Sequence, residues 1–114
     1  MTARTSPDEI RREFNIAVNM RPKELERWLA TDESRSVGWG GDDGESVGHE
    51  SGRKIVAIKR KTKDELTEAD YEHMRKVVGY TRRHLAQGGP DGDEEHSRWR
   101  YSLMNWGHDP LKGR

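Results

Sequence analysis

Cysteine is absent from the 114-residue sequence, so neither a disulfide framework nor a thiolate metal site can form. Long apolar runs are absent as well, since no stretch approaches the ~18 apolar residues of a membrane-spanning helix. The first residues lack the apolar core of a signal peptide. Neither sign of charge predominates, because 21 Lys and Arg balance 21 Asp and Glu. These absences predict a cytoplasmic protein without a membrane segment.

Apolar residues are scarce, at 30% of the chain, while charged residues make up 37%. A length of 114 residues suits one domain. Four Trp and three Tyr supply the bulky side chains that a small core needs. We therefore expect residues 1–114 to form a single domain with a small core and long polar loops.

Two helix starts lie near the beginning of the chain. Ser6 is a suitable N-cap before Pro7, and Glu9 stands at the capping-box position. Pro22 begins a second pattern, RPKELERWLAT, which has apolar residues at helical spacing. Because few residues separate the two patterns, we expect a hairpin-like pair of helices.

Half of the 12 glycines lie in residues 32–52, a segment without helical periodicity. We predict a long Gly-rich loop here, with Trp39 anchored on the core. These glycines match neither a Walker motif nor a dinucleotide-binding fingerprint, because neither a Gly-Lys-Ser/Thr sequence nor a preceding strand is present. Residues 88–96 are predicted to form a second polar loop.

Residues 53–61 fit two interpretations. Ile55, Val56 and Ile58 are β-branched, as is typical of a strand, but they also suit a helix capped by Ser51. No other segment offers a strand partner, and a lone strand would leave its backbone groups unpaired. We therefore expect a helix.

The clearest helix is TEADYEHMRKVVGYTRRHLAQ, which Thr67 caps, with Asp70 at the capping-box position and Gly88 ending it. Its apolar stripe comprises Met74, Val77, Val78, Thr81 and Leu85. A last helix is indicated by three residues at helical spacing, Trp99, Leu103 and Trp106. The sequence thus predicts an all-α domain of four to five short helices.

Positive charge concentrates in the middle of the chain. Residues 52–87 carry ten cations and five anions, whereas residues 1–51 carry seven and eleven. If the two central helices pack as neighbours, their cations line one surface able to contact the phosphates of nucleic acid. The candidate contacts are Arg53, Lys54, Lys59, Arg60, Lys61, Arg75, Lys76, Arg82 and Arg83. Tyr80, from the same region, is a candidate for base stacking or hydrogen bonding.

Two observations favour a different interpretation. Glu68, Asp70 and Glu72 precede the cations of the long helix, an order that the helix dipole stabilises without any ligand. The sequence pI is about 7.0, whereas DNA-binding domains are commonly strongly basic. The alternative is a protein-interaction module or homodimer with a tryptophan-centred interface and no nucleic acid.

Catalysis and metal binding have no support in the sequence. The five histidines stand at positions 49, 73, 84, 96 and 108 without the spacing of metal ligands. No nucleophile elbow occurs, and the acidic segment around Asp42 lacks the spacing of an EF-hand. We expect no enzyme activity, no cofactor and no metal.

Four strings resemble a family of small, uncharacterised, mainly bacterial proteins classed as a domain of unknown function: FNIAVNMRPKELERWL, ESVGHESGRKIV, YEHMRKVVGYTRRHLAQ and WRYSLMNWGHDPLK. The resemblance spans Phe14 to Lys112. Some members carry an automatic DNA-binding label, but the resemblance implies no particular fold, substrate or site residue. Together with the cationic surface, it leads us to expect a non-catalytic nucleic-acid-binding protein whose partner is double-stranded DNA.

Overall fold

Six α-helices carry the fold in the computed structural model, which describes residues 6–37 and 47–112. They are α1 (Pro7–Ala17), α2 (Pro22–Leu29), α3 (Asp32–Ser36), α4 (Val47–Lys59), α5 (Glu68–Gln87) and α6 (Arg98–Asn105). A 3-10 turn, Lys63–Glu65, lies between α4 and α5. No strand occurs in these residues, so the predicted all-α class is confirmed. None of these helices is long and apolar enough to cross a bilayer.

Capping side chains fix the ends of α1 and α5 where the sequence predicted them. Ser6 Oγ accepts a hydrogen bond from the Glu9 amide at 3.2 Å. Thr67 Oγ1 accepts from the Asp70 amide at 3.2 Å, and the Asp70 carboxylate accepts from the Thr67 amide at 3.0 Å. Gly88, with a φ of +79°, ends α5 in a backbone conformation that glycine adopts without strain. These bonds satisfy amides that have no partner inside the helix.

The loop predicted for residues 32–52 is wrong at both of its ends. Thr31 Oγ1 accepts from the Ser34 amide at 3.1 Å and so caps α3, a short helix that the sequence pattern did not reveal. At the other end α4 begins at Val47, so Ser51 is a buried residue inside the helix and not its cap. The middle of the predicted loop, residues 38–46 with Trp39, lies outside the described residues. The helix prediction for residues 53–61 is confirmed as far as Lys59.

The helices α1 and α2 do not pack as the predicted hairpin. Instead, α1 packs along α5, and α2 packs along α4. Phe14 of α1 and Met74 of α5 are buried in the core, as are Leu25 of α2 and Ile55 of α4. The short connection between α1 and α2 predicted that they would pack on each other. Their apolar stripes instead pack against the two longest helices, which offer more apolar surface to bury.

The apolar stripe of α5 faces this core along most of its length. Met74, Val77, Val78 and Thr81 are buried, whereas Leu85 in the last turn is 38% exposed. The prediction that the apolar stripe faces the core is therefore confirmed from Met74 to Thr81 and is wrong for Leu85.

A buried polar junction joins α6 to α2 and α3. Asn105, which is 1% exposed, accepts at Oδ1 from Ser34 Oγ at 2.5 Å and from Trp28 Nε1 at 2.7 Å. Its Nδ2 donates to the Ser34 carbonyl at 3.0 Å. Since a buried polar group without a partner costs about 1–3 kcal/mol, these reciprocal bonds fix how the three helices meet.

Candidate nucleic-acid interface

The four cations of α5 form two pairs on different sides of the helix. Lys76 and Arg83 are separated by two helical turns, about 10.5 Å along the axis, and so lie on one side. Arg75 and Arg82 repeat this spacing about 100° around the helix axis. All four residues are exposed. The helix therefore offers two cationic sides instead of the single surface that the sequence predicted.

The side that carries Arg82 is turned toward α1. Arg82 Nη2 donates to Glu13 Oε2 at 3.0 Å, and this ion pair joins α5 to α1. Arg75 pairs with no carboxylate of the described residues.

The two candidate cations that directly follow α4 are bound to other parts of the fold. Arg60 donates to both carboxylate oxygens of Glu26 on α2, at 2.9 and 2.5 Å, and these bonds hold the pKa of Glu26 below its usual value. Lys61 donates to Asp70 at 2.7 Å. Since a carboxylate already neutralises each cation, its attraction for a phosphate is reduced.

Lys59 is partly buried between α4 and α1. Its Nζ donates to Asn15 Oδ1 at 2.9 Å and lies 5.4 Å from the centre of the Phe14 ring. Burial lowers the pKa of Lys59 from its usual value. The side chain therefore bridges α4 and α1.

Arg53 and Lys54 lie on the exposed side of α4. Lys54 Nζ is 3.3 Å from Glu50 Oε1, one turn earlier, and both side chains are more than half exposed, at 57% and 51%. An ion pair this exposed contributes little to stability. Lys54 is therefore free to exchange Glu50 for another anion.

Lys54 and Lys76 come together around His73, in a groove between α4 and α5. Burial is the main cause that lowers the pKa of His73, and the charges of Lys54 and Lys76 lower it further. Ser51 Oγ lies 2.9 Å from His73 Nε2. Asp70 and Glu72 also line this groove, so the two predicted contacts converge there in the company of two acids.

Tyr80 lies within a row of five nearly parallel rings, which we call the aromatic row: His73, Trp106, Tyr80, His84 and Trp99. Tyr80 stacks on Trp106 with ring centres 4.2 Å apart and on His84 with centres 5.2 Å apart. With both ring faces covered, Tyr80 has none left for a nucleobase. Sequence reasoning missed this row, although the spacing of His73, Tyr80 and His84 places them on one side of α5.

The histidines make separate contacts within the fold. His49 Nε2 donates to the Leu29 carbonyl at 2.7 Å, and His108 Nδ1 donates to the Ala17 carbonyl at 2.7 Å. In residues 6–37 and 47–112, no group of three or more His, Asp or Glu side chains is placed to hold a metal ion.

These features define a small all-α protein with an unpaired cationic side on its longest helix. The chain belongs to a family of proteins of unknown function (DUF3140), whose model matches residues 13–104. This match confirms the resemblance to an uncharacterised family. No curated protein and no solved structure matches the chain.

Proposed function

We propose that the chain is a non-catalytic nucleic-acid-binding protein that contacts duplex DNA through Lys76 and Arg83. One observation carries this proposal: both side chains are exposed on one side of α5, and neither pairs with a carboxylate of the described residues. Unpaired cations attract phosphates, and the counterions that they release from DNA favour binding. Lys54 extends the same surface from α4 through the groove at His73.

The glycine between the two cations lets Arg83 lie close to the helix backbone. Gly79 lies between Lys76 and Arg83 on the same side of α5, and Arg83 Nη1 would be 3.1 Å from a Cβ at Gly79. The guanidinium of Arg83 therefore lies over Gly79, turned back along the helix toward Lys76. Because Gly79 has no side chain, the guanidinium can lie close to the helix backbone there, on the side of Lys76, where one phosphate can meet both cations.

The described tryptophans make contacts within the fold. They therefore offer little exposed surface for a tryptophan-centred protein interface. Trp28 Nε1 donates to Asn105, Trp99 Nε1 donates to the His84 carbonyl at 3.0 Å, and Trp106 is 5% exposed. Nucleic acid is therefore the partner that we propose in preference to a protein chain or a second copy.

We propose the cytoplasm as the location, since a chain without cysteine gains nothing from an oxidising compartment.

Two double variants test the proposal with equal changes in charge. Lys76→Gln/Arg83→Gln removes two unpaired cations, whereas Arg60→Gln/Arg82→Gln removes two that already pair with Glu26 and Glu13. Fluorescence anisotropy with a labelled duplex should show about tenfold or greater weakening for the first variant, and less than about twofold for the second. Circular dichroism checks that both retain their helices. Equal weakening by the two variants, or none by the first, would rule out this side of α5 as the contact.

A further inference from the structure

A cleft of about 310 Å³ lies where the start of α4 meets α5 and the end of α6. Val47 and Gly48 form one wall, Lys76 and Arg83 form another, and Tyr80 and Trp106 of the aromatic row also line it. No carboxylate of the described residues lines this cleft, in contrast to the groove at His73. The cleft therefore combines two cations with a mainly apolar interior.

Trp106 contributes a hydrogen-bond donor that the fold leaves unused. The residue is 5% exposed, and its Nε1 donates to no acceptor of the described residues. This nitrogen lies at the wall of the cleft, because a Cβ added to Gly48 would be 3.2 Å from it. Because this nitrogen opens onto the cleft, its N–H is available to a ligand that carries a hydrogen-bond acceptor.

Gly48 keeps this part of the cleft open. A Cβ at this position would also lie 3.5 Å from Asn105 Cβ, so any side chain here would enter the space beside Trp106. Gly48 belongs to the first turn of a 13-residue helix, whose dipole places partial positive charge at that end. The absent side chain and the dipole both suit an electron-rich group bound against the wall.

The aromatic side chains present their edges to the cleft, because their faces are stacked on one another in the aromatic row. Ring edges carry partial positive charge and favour the electron-rich acceptor atoms of another planar ring, such as a ring nitrogen that accepts from the indole N–H. A volume of about 310 Å³ is larger than a phosphate needs and lies at the lower limit for small organic ligands. The ligand that fits is planar, accepts a hydrogen bond and is anionic at one end.

We propose that this cleft binds one nucleotide, with its base against Gly48 and the indole edge of Trp106 and its phosphate between Lys76 and Arg83. The nucleotide is either a free mononucleotide or an unpaired nucleotide within a strand. This inference deepens the proposed function and rests on it, since Lys76 and Arg83 serve in both. Duplex backbone contacts, however, do not require the interior of the cleft, which makes the two separable.

The test compares Gly48→Leu, which fills the cleft, with Ala57→Leu, which adds the same side chain at an exposed position of the same helix. The probes are deoxyadenosine 5′-monophosphate, deoxyadenosine and inorganic phosphate, measured by calorimetry. The indole N–H resonance of Trp106, assigned with Trp106→Phe, reports directly on the cleft. Arg83→Gln is a second variant that leaves the packing at Gly48 untouched.

We expect the monophosphate to bind more tightly than either deoxyadenosine or phosphate and to shift the Trp106 resonance. Gly48→Leu should weaken it about tenfold or more, and Ala57→Leu should leave it unchanged. Arg83→Gln should weaken the monophosphate and not deoxyadenosine. Absence of monophosphate binding, or binding unaffected by both Gly48→Leu and Arg83→Gln, overturns the inference.

An oligonucleotide arm identifies the source of the nucleotide. If Gly48→Leu weakens the binding of a single-stranded oligonucleotide, the cleft binds a nucleotide within a strand. If this binding is unaffected, the cleft binds the free nucleotide. Both results support a nucleotide site. If the duplex binds but the monophosphate does not, the cleft inference fails while the proposed function stands. If the monophosphate binds but the duplex does not, the proposed function fails while the nucleotide site in the cleft stands.

Discussion

Arg83 covers Gly79: its Nη1 atom would lie 3.1 Å from a Cβ at that position, in the middle of the longest helix. Glycine inside a helix costs stability relative to alanine, so its presence between the two unpaired cations needs an explanation. The room that Gly79 leaves for the Arg83 guanidinium supplies one.

Gly79→Ala should therefore separate stability from binding. The added methyl group meets only the flexible end of Arg83, so we expect the free energy of unfolding to rise by up to about 1 kcal/mol. Under the proposed function duplex affinity should fall severalfold, because the methyl group moves the Arg83 guanidinium from its place beside Lys76. Urea denaturation and anisotropy measure the two quantities. A variant that is both more stable and fully competent to bind would show that Gly79 has no part in DNA contact.

The same substitution at Gly52 should have the opposite effect on stability. A Cβ there would lie 2.7 Å from the Asn105 carbonyl oxygen and 2.7 Å from Leu29 Cδ2, so α4 would have to move away from α2 and α6. We expect Gly52→Ala to lower the free energy of unfolding by about 1–3 kcal/mol despite the better helix propensity of alanine. Urea denaturation checks this, and a neutral or stabilising result would mean that these helices approach less closely.

Asn105 should contribute more to stability than its size implies. Asn105→Ala leaves the Trp28 indole, the Ser34 hydroxyl and the Ser34 carbonyl without their partner. We expect a loss of about 3 kcal/mol in the free energy of unfolding. Asn15→Ala, which removes an exposed amide bonded to Lys59, is the matched control and should change stability by less than about 0.5 kcal/mol. Similar losses in both variants would contradict this account of the junction.

His84 should make the protein less stable in mild acid. Burial lowers its pKa below the usual 6.5, and its Nε2 is buried without a hydrogen-bond partner. The unfolded state then binds more protons than the folded state, so the stability contributed by neutral His84 is present above the unfolded pKa and is lost as the pH falls through the folded pKa.

The variant His84→Phe keeps a ring in the aromatic row and removes this titration. Its stability relative to the wild type should increase as the pH falls from about 7 to about 5. His96, whose pKa Asp93 raises, has the opposite pH dependence, but it is present in both proteins and cancels. Urea denaturation at several pH values measures the difference, and a difference independent of pH would contradict the burial argument.

Local chemistry made part of the fold predictable. The start of α1, the start of α5 and the end of α5 follow from Ser6, Thr67 and Gly88, because a cap acts on residues within one turn. The short helix α3 was missed because the glycines that follow it dominated the pattern of residues 32–52.

The distribution of the cations could not be predicted in the same way. Arg60 pairs with Glu26, 34 residues away, and Arg82 pairs with Glu13, 69 residues away. Such pairs depend on which helices pack together, and the sequence predicted the wrong partner for α1. The candidate cations are exposed apart from the partly buried Lys59, but only packing determines which of them lack an anionic partner.

The salt dependence of duplex affinity tests the central claim most directly. Counterion release predicts that the logarithm of the association constant of the wild type falls linearly with the logarithm of salt concentration. In Lys76→Gln/Arg83→Gln the slope should be shallower by about 2, one unit for each lost phosphate contact. Identical slopes for the two proteins, or no duplex binding by the wild type at low salt, would contradict the account.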